Sequence, residues 1–448
     1  MSAPRTSPWP LVALFTAGYL APYLLPTTVG RLDTGLPLSA TQAGAVGSAL
    51  LLSSAAAGLL LASRVERIGA RTLARVGLAL AVLGYGVAAL THAVPAVVAG
   101  LVVGGFGSGT ATTVAATGIA AQRDPHRVST LGLLGVSGLA GAVYLTVPHL
   151  GPGHGQPPAA IALTALAAWP LTGRLPVRTA AARTAVQGVS RLPHARSGLL
   201  LCAAMLCWSL AQNSLWGVSG RIGLTQAHLG EATVGAVFAV ALGAGLLGVI
   251  GAGALGSRIG RALPIGAGTA LIAGCIALSA SATDLPGFAT GEIAWNTVYP
   301  IVLSYVIGLA ASLDPRGRWA VLVGSASSLG TAAGPLAGSV LSARAGYPAM
   351  GAVLAVGLLA IALPMTAVAL HTGGRPLLPG TVRRRGGTPA AVVAASAGTP
   401  TGAVPLVGAP EQPVVEIPLE ASAVPAQPAY GTAGPLQTTG AAAGPAGP

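Results

Sequence analysis

The chain has 448 residues, 53% of them hydrophobic and only 7% charged, with a mean hydropathy of +0.74 and a net charge of +13. A soluble domain carries roughly 25% charged residues, so an ordinary water-soluble fold is excluded. All 23 basic residues are Arg; without Lys there is neither a P-loop lysine for nucleotide phosphates nor a Schiff-base nucleophile.

A bilayer-spanning helix needs about 20 mostly apolar residues. Twelve stretches meet this requirement: 9–30, 40–62, 72–91, 94–120, 128–149, 158–176, 198–219, 230–255, 264–283, 286–311, 319–342 and 348–371. Their Gly and Pro residues would break soluble helices but are tolerated in lipid, where neighbouring helices re-satisfy the backbone. The first stretch follows a single Arg and runs too long for a cleavable signal peptide, so it is read as a span. It carries Tyr19, Pro22 and Tyr23. The fourth holds Gly104-Gly105-Phe106-Gly107-Ser108-Gly109, which follows no strand and reads as helix packing rather than a nucleotide loop. The basic stretch 177–197 joins two sets of six spans. The seventh span offers Trp208, Gln212, Asn213 and Trp216. The tenth carries Glu292, the acid placed well inside a span, with Trp295, Asn296 and Tyr299 at i+3, i+4 and i+7 on one face. The eleventh contains Gly330-x-x-x-Gly334-Pro335-x-x-Gly338, spaced for close helix contact. After Arg385 the chain turns rich in Pro, Ala, Gly and Thr, and residues 372–448 are expected to form a disordered cytoplasmic tail. Cys202, Cys207 and Cys275 lie in apolar runs and read as small buried hydrophobes. No metal and no cofactor are expected.

The arginines orient the spans. With the N-terminus inside, 20 fall in inner segments and three, Arg31, Arg221 and Arg344, in outer ones. This split predicts twelve spans with both termini cytoplasmic. Anionic headgroups then account for the basic charge, and no nucleic acid is needed.

Two echoes divide the chain. Ala62-Ser-Arg64-Val-Glu66-Arg67-Ile68-Gly69-Ala-Arg71 recurs as Gly253-Ala-Leu-Gly-Ser257-Arg258-Ile259-Gly260-Arg261, and Asp124-Pro-His-Arg127 as Asp314-Pro-Arg316-Gly-Arg318. Both offsets are close to 190 residues, the mark of a duplicated half. Six plus six spans with a long inner connection resemble the major facilitator superfamily. That family's signature between its second and third helices is matched by Ala62, Glu66, Arg67, Gly69 and Arg71, with Ala for Gly and Glu for Asp. The Arg that many proton-coupled members carry in the fourth helix is absent, since Gly100 stands there. The strong excess of Arg, Ala and Gly points to a GC-rich, actinobacterial source.

The resemblance implies an all-α membrane protein of twelve transmembrane helices in two six-helix pseudo-symmetric bundles. The expected units are 1–176, the linker 177–197, 198–371 and the tail 372–448. It also places a cavity among the first, fourth, seventh and tenth helices, where the fourth offers only Thr110, Thr112 and Thr113. The expected substrate cavity is Tyr19, Tyr23, Gln212, Asn213, Trp216, Trp295, Asn296 and Tyr299, with Glu292 as proton-coupling candidate, because a charge at mid-bilayer costs roughly 2.5–3.5 kcal/mol. An outer aromatic belt is the structural alternative for Tyr23 and Trp216. The expected inner gate is Glu66, Arg67, Gly69, Arg71, Asp124, Arg127, Arg258, Gly260, Arg261, Asp314, Arg316 and Arg318; plain topology anchoring is the alternative reading.

The function expected is a monomeric secondary active transporter of a small organic molecule in the cytoplasmic membrane. It would work by alternating access, coupled to protons, with a lean to efflux from the apolar cavity. Uptake by the same fold and a transporter-like sensor acting through the tail are the alternatives. A membrane-embedded enzyme is disfavoured, because Glu292 is the one acid placed well inside a span and every His falls in a loop or at a span end.

Overall fold

The computed structural model describes residues 7–122, 124–175, 192–255, 259–314 and 317–373. Within them the chain is a multi-pass, all-helical membrane protein. Nine of its described helices are long and apolar enough to cross a bilayer, and a bent pair at the start makes ten. That pair is α1, Trp9–Tyr23 followed by Leu25–Gly35, bent by 49°. Next come α2 (Ala40–Leu61), α3 (Ala70–Leu90), α4 (Val94–Ala120), α5 (Pro125–Thr146) and α6 (Gln156–Ala168). α6 is short, but a 3₁₀ segment, Trp169–Arg174, continues it. The second half holds α7 (Ala195–Arg221), α8 (Glu231–Leu255), α9 (Ala262–Ser281) and α10 (Leu285–Ser312). The helical run Arg318–Gly373 is broken at Gly346, whose φ of 79° no ordinary side chain favours. It therefore counts as two helices, α11 (318–345) and α12 (347–373). With α6 these complete the twelve.

Local chemistry sets the boundaries. Ser39 and Gln42 close a capping box at α2: Gln42 N donates to Ser39 Oγ at 3.3 Å and Ser39 N to Gln42 Oε1 at 2.8 Å. Asp124 and Asp284 accept from the first-turn amides of α5 and α10. The bend in α1 follows from Pro26. Its missing N–H leaves the carbonyl of Pro22 without its usual donor four residues on, and Trp216 Nε1 from α7 supplies one at 3.2 Å. Both copies of the sequence echo share a left-handed glycine, Gly69 at φ 97° and Gly260 at φ 68°.

Each bundle is held by close backbone approach. α3 and α4 meet through Gly84, Gly100, Gly104 and Gly107, where an added Cβ would strike backbone or the Tyr85 ring. α7 and α11 meet through Gly330, Gly334 and Gly338. The bundles touch each other through α2 on α11, at Gly44 with Ser339 and Gly47 with Pro335, and through α5 on α8, at Gly235 with the Tyr144 carbonyl.

Two expectations need adjustment. The first span runs on to Gly35, past Arg31 and Asp33, which belong to helix rather than loop. No loop separates the last two spans; the single residue Gly346 makes the turn. The expected disordered tail from 374 onward and most of the linker, 176–191, lie outside the described residues.

Candidate functional site

Where α1, α5, α7, α8 and α10 converge, a cavity of about 700 Å³, its open mouth included, lies between the bundles. Pro22, Tyr23, Asn213, Trp216, Trp295, Asn296, Tyr299 and Pro300 line it, facing Leu133, Ser137, Leu242, Gly245, Leu246 and Val249. Six of the eight residues expected from sequence are thus brought to one wall. Tyr19 is not among them: it is buried inside the first bundle, its ring 4.4 Å from that of Phe15. Gln212 sits one layer behind, fully buried, where its Oε1 accepts from Trp295 Nε1 at 2.9 Å.

The aromatic wall is fixed by contacts made beneath its surface. Tyr299 stacks on Trp208 with centroids 5.1 Å apart and planes 12° apart. Trp295 lies against Trp216 and Tyr299 at 5.7 and 6.0 Å. Both lining indoles have spent their N–H groups, on Gln212 Oε1 and on the Pro22 carbonyl. What they present to the cavity is therefore π surface. Asn213 is held by Ser209 O at 2.9 Å and Thr331 Oγ1 at 3.2 Å, and Asn296 by Glu292 O at 2.9 Å. Each amide nitrogen donates within its own bundle. The lining residues carry no charged side chain.

Glu292 shares a helix with this wall but not its exposure. One turn above Trp295, it is fully buried between α7, α9 and α10. Its Oε1 lies 2.7 Å from Ser219 Oγ on α7 and 2.7 Å from Ser279 Oγ on α9, while Oε2 has no partner. Thr110, Thr112 and Thr113 of α4 are likewise buried, and each returns its hydroxyl to its own helix, to Phe106 O or Gly109 O.

Sequence reasoning did not find the α5 and α8 side of the cavity. Ser137, Gly245 and the aliphatic residues there look like any lipid-facing residues in a span. Nor did it find Ser219 and Ser279, whose small hydroxyls are common in membrane helices.

At the Arg-rich end the proposed gate residues bond within their own bundles. Arg71 donates from Nε and Nη2 to Leu175 O at 3.0 and 2.7 Å. Asp124 caps α5 through Arg127 N at 3.0 Å, leaving the Arg127 side chain exposed. Arg261 donates to Ser312 Oγ at 2.7 Å, and Arg318 Nε meets Asp314 Oδ2 at 2.6 Å. Glu66 and Arg67 are exposed on a short helix, Val65–Ile68, that Gly69 ends. Gly260 turns the matching corner. Arg258 and Arg316 lie outside the described residues.

The backbone path is shared with known transporters. The human organic anion transporter MFSD10 superposes with a TM-score of 0.59 at 18% identity, over 81% of this chain and 100% of that one. The nucleoside transporter NupG gives a TM-score of 0.64 at 13% identity, over 81% and 99%. The major facilitator transporter FucP, in its outward conformation, gives 0.53 at 16% identity, over 81% and 98%. The chain has the major facilitator fold. No protein-family model and no curated protein sequence matches it.

Proposed function

We propose that this chain is a secondary active transporter that carries a small, uncharged organic molecule with a flat, apolar part across the cytoplasmic membrane. The observation that carries this reading is the cavity between the bundles, where two indoles and two phenols line the wall beside two anchored amides. Such a wall binds a planar group by stacking and fixes its orientation through few polar contacts. A lining without fixed charge disfavours phosphate-bearing solutes. Alternating access is the rocking of α1–α6 against α7–α12 around this cavity, and the apolar lining favours export. Glu292 is the proton carrier, coupled to the cavity through the helix it shares with Trp295 and Asn296.

The test is transport by purified chain in liposomes, against a panel of neutral aromatic, sugar-like and anionic solutes. Saturable movement of a neutral aromatic solute, competed by its analogues, is expected. Transport confined to charged solutes overturns the substrate class, and no transport of any solute overturns the function.

Topology provides a second expected result. In a cysteine-free background, Thr91→Cys and Thr283→Cys should react with an impermeant maleimide added to intact cells, and Gly173→Cys only after permeabilisation. Thr283 and Gly173 are exposed, so neither outcome depends on burial. Reaction of Gly173→Cys in intact cells contradicts cytoplasmic termini.

The Arg-rich turns give a third. Arg67→Ala removes an exposed side chain, so insertion should be unchanged. If the turn closes the inner gate in the other half of the cycle, initial rates should drop several-fold. A rate equal to the parent's at matched expression makes the turn a topology anchor only.

A further inference from the structure

The end of the molecule opposite the Arg-rich turns carries two ion pairs that cross between the bundles, and they have a common design. Arg31 at the end of α1 is almost fully buried. Its Nη1 donates to Gly151 O, Gly153 O and Gln156 Oε1 at 2.5, 3.0 and 2.5 Å, and Nη2 to Val147 O at 3.2 Å. All four acceptors lie between α5 and the start of α6, in its own bundle. The remaining edge of the guanidinium reaches Glu231 at the start of α8, with Nε and Nη2 at 2.7 and 2.5 Å from Oε1. Arg221 at the end of α7 repeats the plan from the other side. Its Nη2 donates to Ser339 Oγ of α11 at 2.7 Å, and its Nη1 stands 3.7 Å from Asp33 Oδ2 on α1.

Arg31 and Arg221 are 190 positions apart, the same offset that separates Asp124 from Asp314. They are the same residue of the duplicated half. We infer that Arg31 and Arg221 are a repeat-related pair of latch arms, each anchored in one bundle and closing on a carboxylate of the other. Together they hold the cavity shut toward the side that Arg31 faces. This rests on the reading of the chain as an alternating-access transporter.

The physical case is one of unequal release. When the bundles part, Arg31 keeps four own-bundle acceptors and Arg221 keeps Ser339, so neither cation loses every partner. The carboxylates are on the freer side: the Glu231 and Asp33 side chains are 39% and 22% exposed, against 5% and 7% for the two arginines. Opening therefore needs only the hydration of two partly exposed acids. The arms are also unequal. Arg31 meets Glu231 through two nitrogens at short range. Arg221 meets Asp33 loosely, and its buried Nε has no partner. Glu231 is the stronger closure.

The test reads opening without any substrate. In a background of Cys202→Ala, Cys207→Ala and Cys275→Ala, the cavity residues Ser137→Cys and Leu246→Cys serve in turn as reporters. An impermeant maleimide is applied from the Arg31 side in sealed vesicles of known orientation. Glu231→Gln should speed modification at least tenfold, Asp33→Asn by a smaller factor, and Glu231→Asp by less than twofold. Tying Thr34→Cys to Glu231→Cys with a thiol-reactive linker across the cavity they share should return the rate to the parent's. Rates within twofold of the parent for Glu231→Gln at both reporters, or an untied and a tied protein that react alike, overturn the latch. If labelling shifts as stated and no solute is ever moved, the latch stands and the transport reading fails. If solute moves and labelling is indifferent, only the latch fails.

Discussion

Glu292→Gln is expected to abolish accumulation driven by a pH gradient while leaving exchange of substrate across the membrane largely intact. The argument lies in the hydroxyl of Ser219. Its oxygen is 2.7 Å from Glu292 Oε1 and also 3.0 Å from the carbonyl of Leu215 one turn back. One hydroxyl proton cannot serve both. When the carboxylate is charged, Ser219 and Ser279 both donate to it. When Glu292 carries a proton, its own O–H can donate to Ser219, whose hydroxyl swings to Leu215 O. Gain and loss of the proton thus change hydrogen-bond direction without stranding a buried donor. The amide of Gln fits the protonated arrangement and holds it permanently. With one proton per substrate, a gradient of one pH unit is worth about 1.4 kcal/mol and supports about tenfold accumulation. The Gln variant should fall to a ratio of about one, measured in proteoliposomes with imposed gradients. If it still accumulates substrate with the parent's pH dependence, Glu292 is structural and coupling lies elsewhere. Ser219→Ala sharpens the test. It removes the switching hydroxyl but leaves the acid, so coupling should weaken without vanishing.

The second large effect concerns folding. Gly338→Val or Gly334→Val should prevent recovery of folded protein. Gly330, Gly334 and Gly338 recur every four residues along α11 and face α7. A Cβ at Gly330 or Gly338 would overlap the carbonyl oxygen of Leu206 or Ser214, and one at Gly334 would lie 2.5 Å from Asn213 Cβ. These obstacles are backbone or the root of a side chain, so relief requires the two helices to separate. Overpacking of this kind costs about 1–3 kcal/mol for a single added methyl group, and the branched Val adds more. Thermal stability by detergent size-exclusion should drop sharply for each Ala variant, with the Val variants absent from the monodisperse peak. Gly243→Val is the control: nothing lies within 4 Å of its Cβ position, and it should behave as the parent. Normal behaviour of Gly338→Val would show that α7 and α11 have slack where the structure has none.

The twelve spans were legible because lipid demands long apolar runs and tolerates Gly and Pro in them. The boundaries that were not legible share a cause in tertiary contacts. Arg31 and Asp33 read as a loop, because a charged pair ends most spans. Arg31 stays helical because residues 147–156 supply it with acceptors that no local pattern reveals. The aromatic and amide wall could be read from i, i+3, i+4 and i+7 spacing on one helix and the matching run on another. Glu292 shares that spacing, yet α7 and α9 close over it one turn beyond Trp295. Periodicity gives a face; it does not say how far along the face a neighbouring helix reaches. Ser137, Gly245 and their neighbours complete the cavity with residues that lipid would accept equally well, so their role is set by α5 packing on α8 alone.

Of the six tryptophans in the chain, Trp208, Trp216 and Trp295 surround the cavity, two as lining and one stacked behind Tyr299. Indole emission depends on the polarity and mobility of what touches the ring. A flat molecule bound there, as proposed, would cover two of these faces at once. On that reading the tryptophans would serve as a built-in optical gauge of occupancy. Titration of unlabelled protein should rank candidate solutes by quenching or blue shift, with Trp295→Phe reducing the signal, before any flux has been measured.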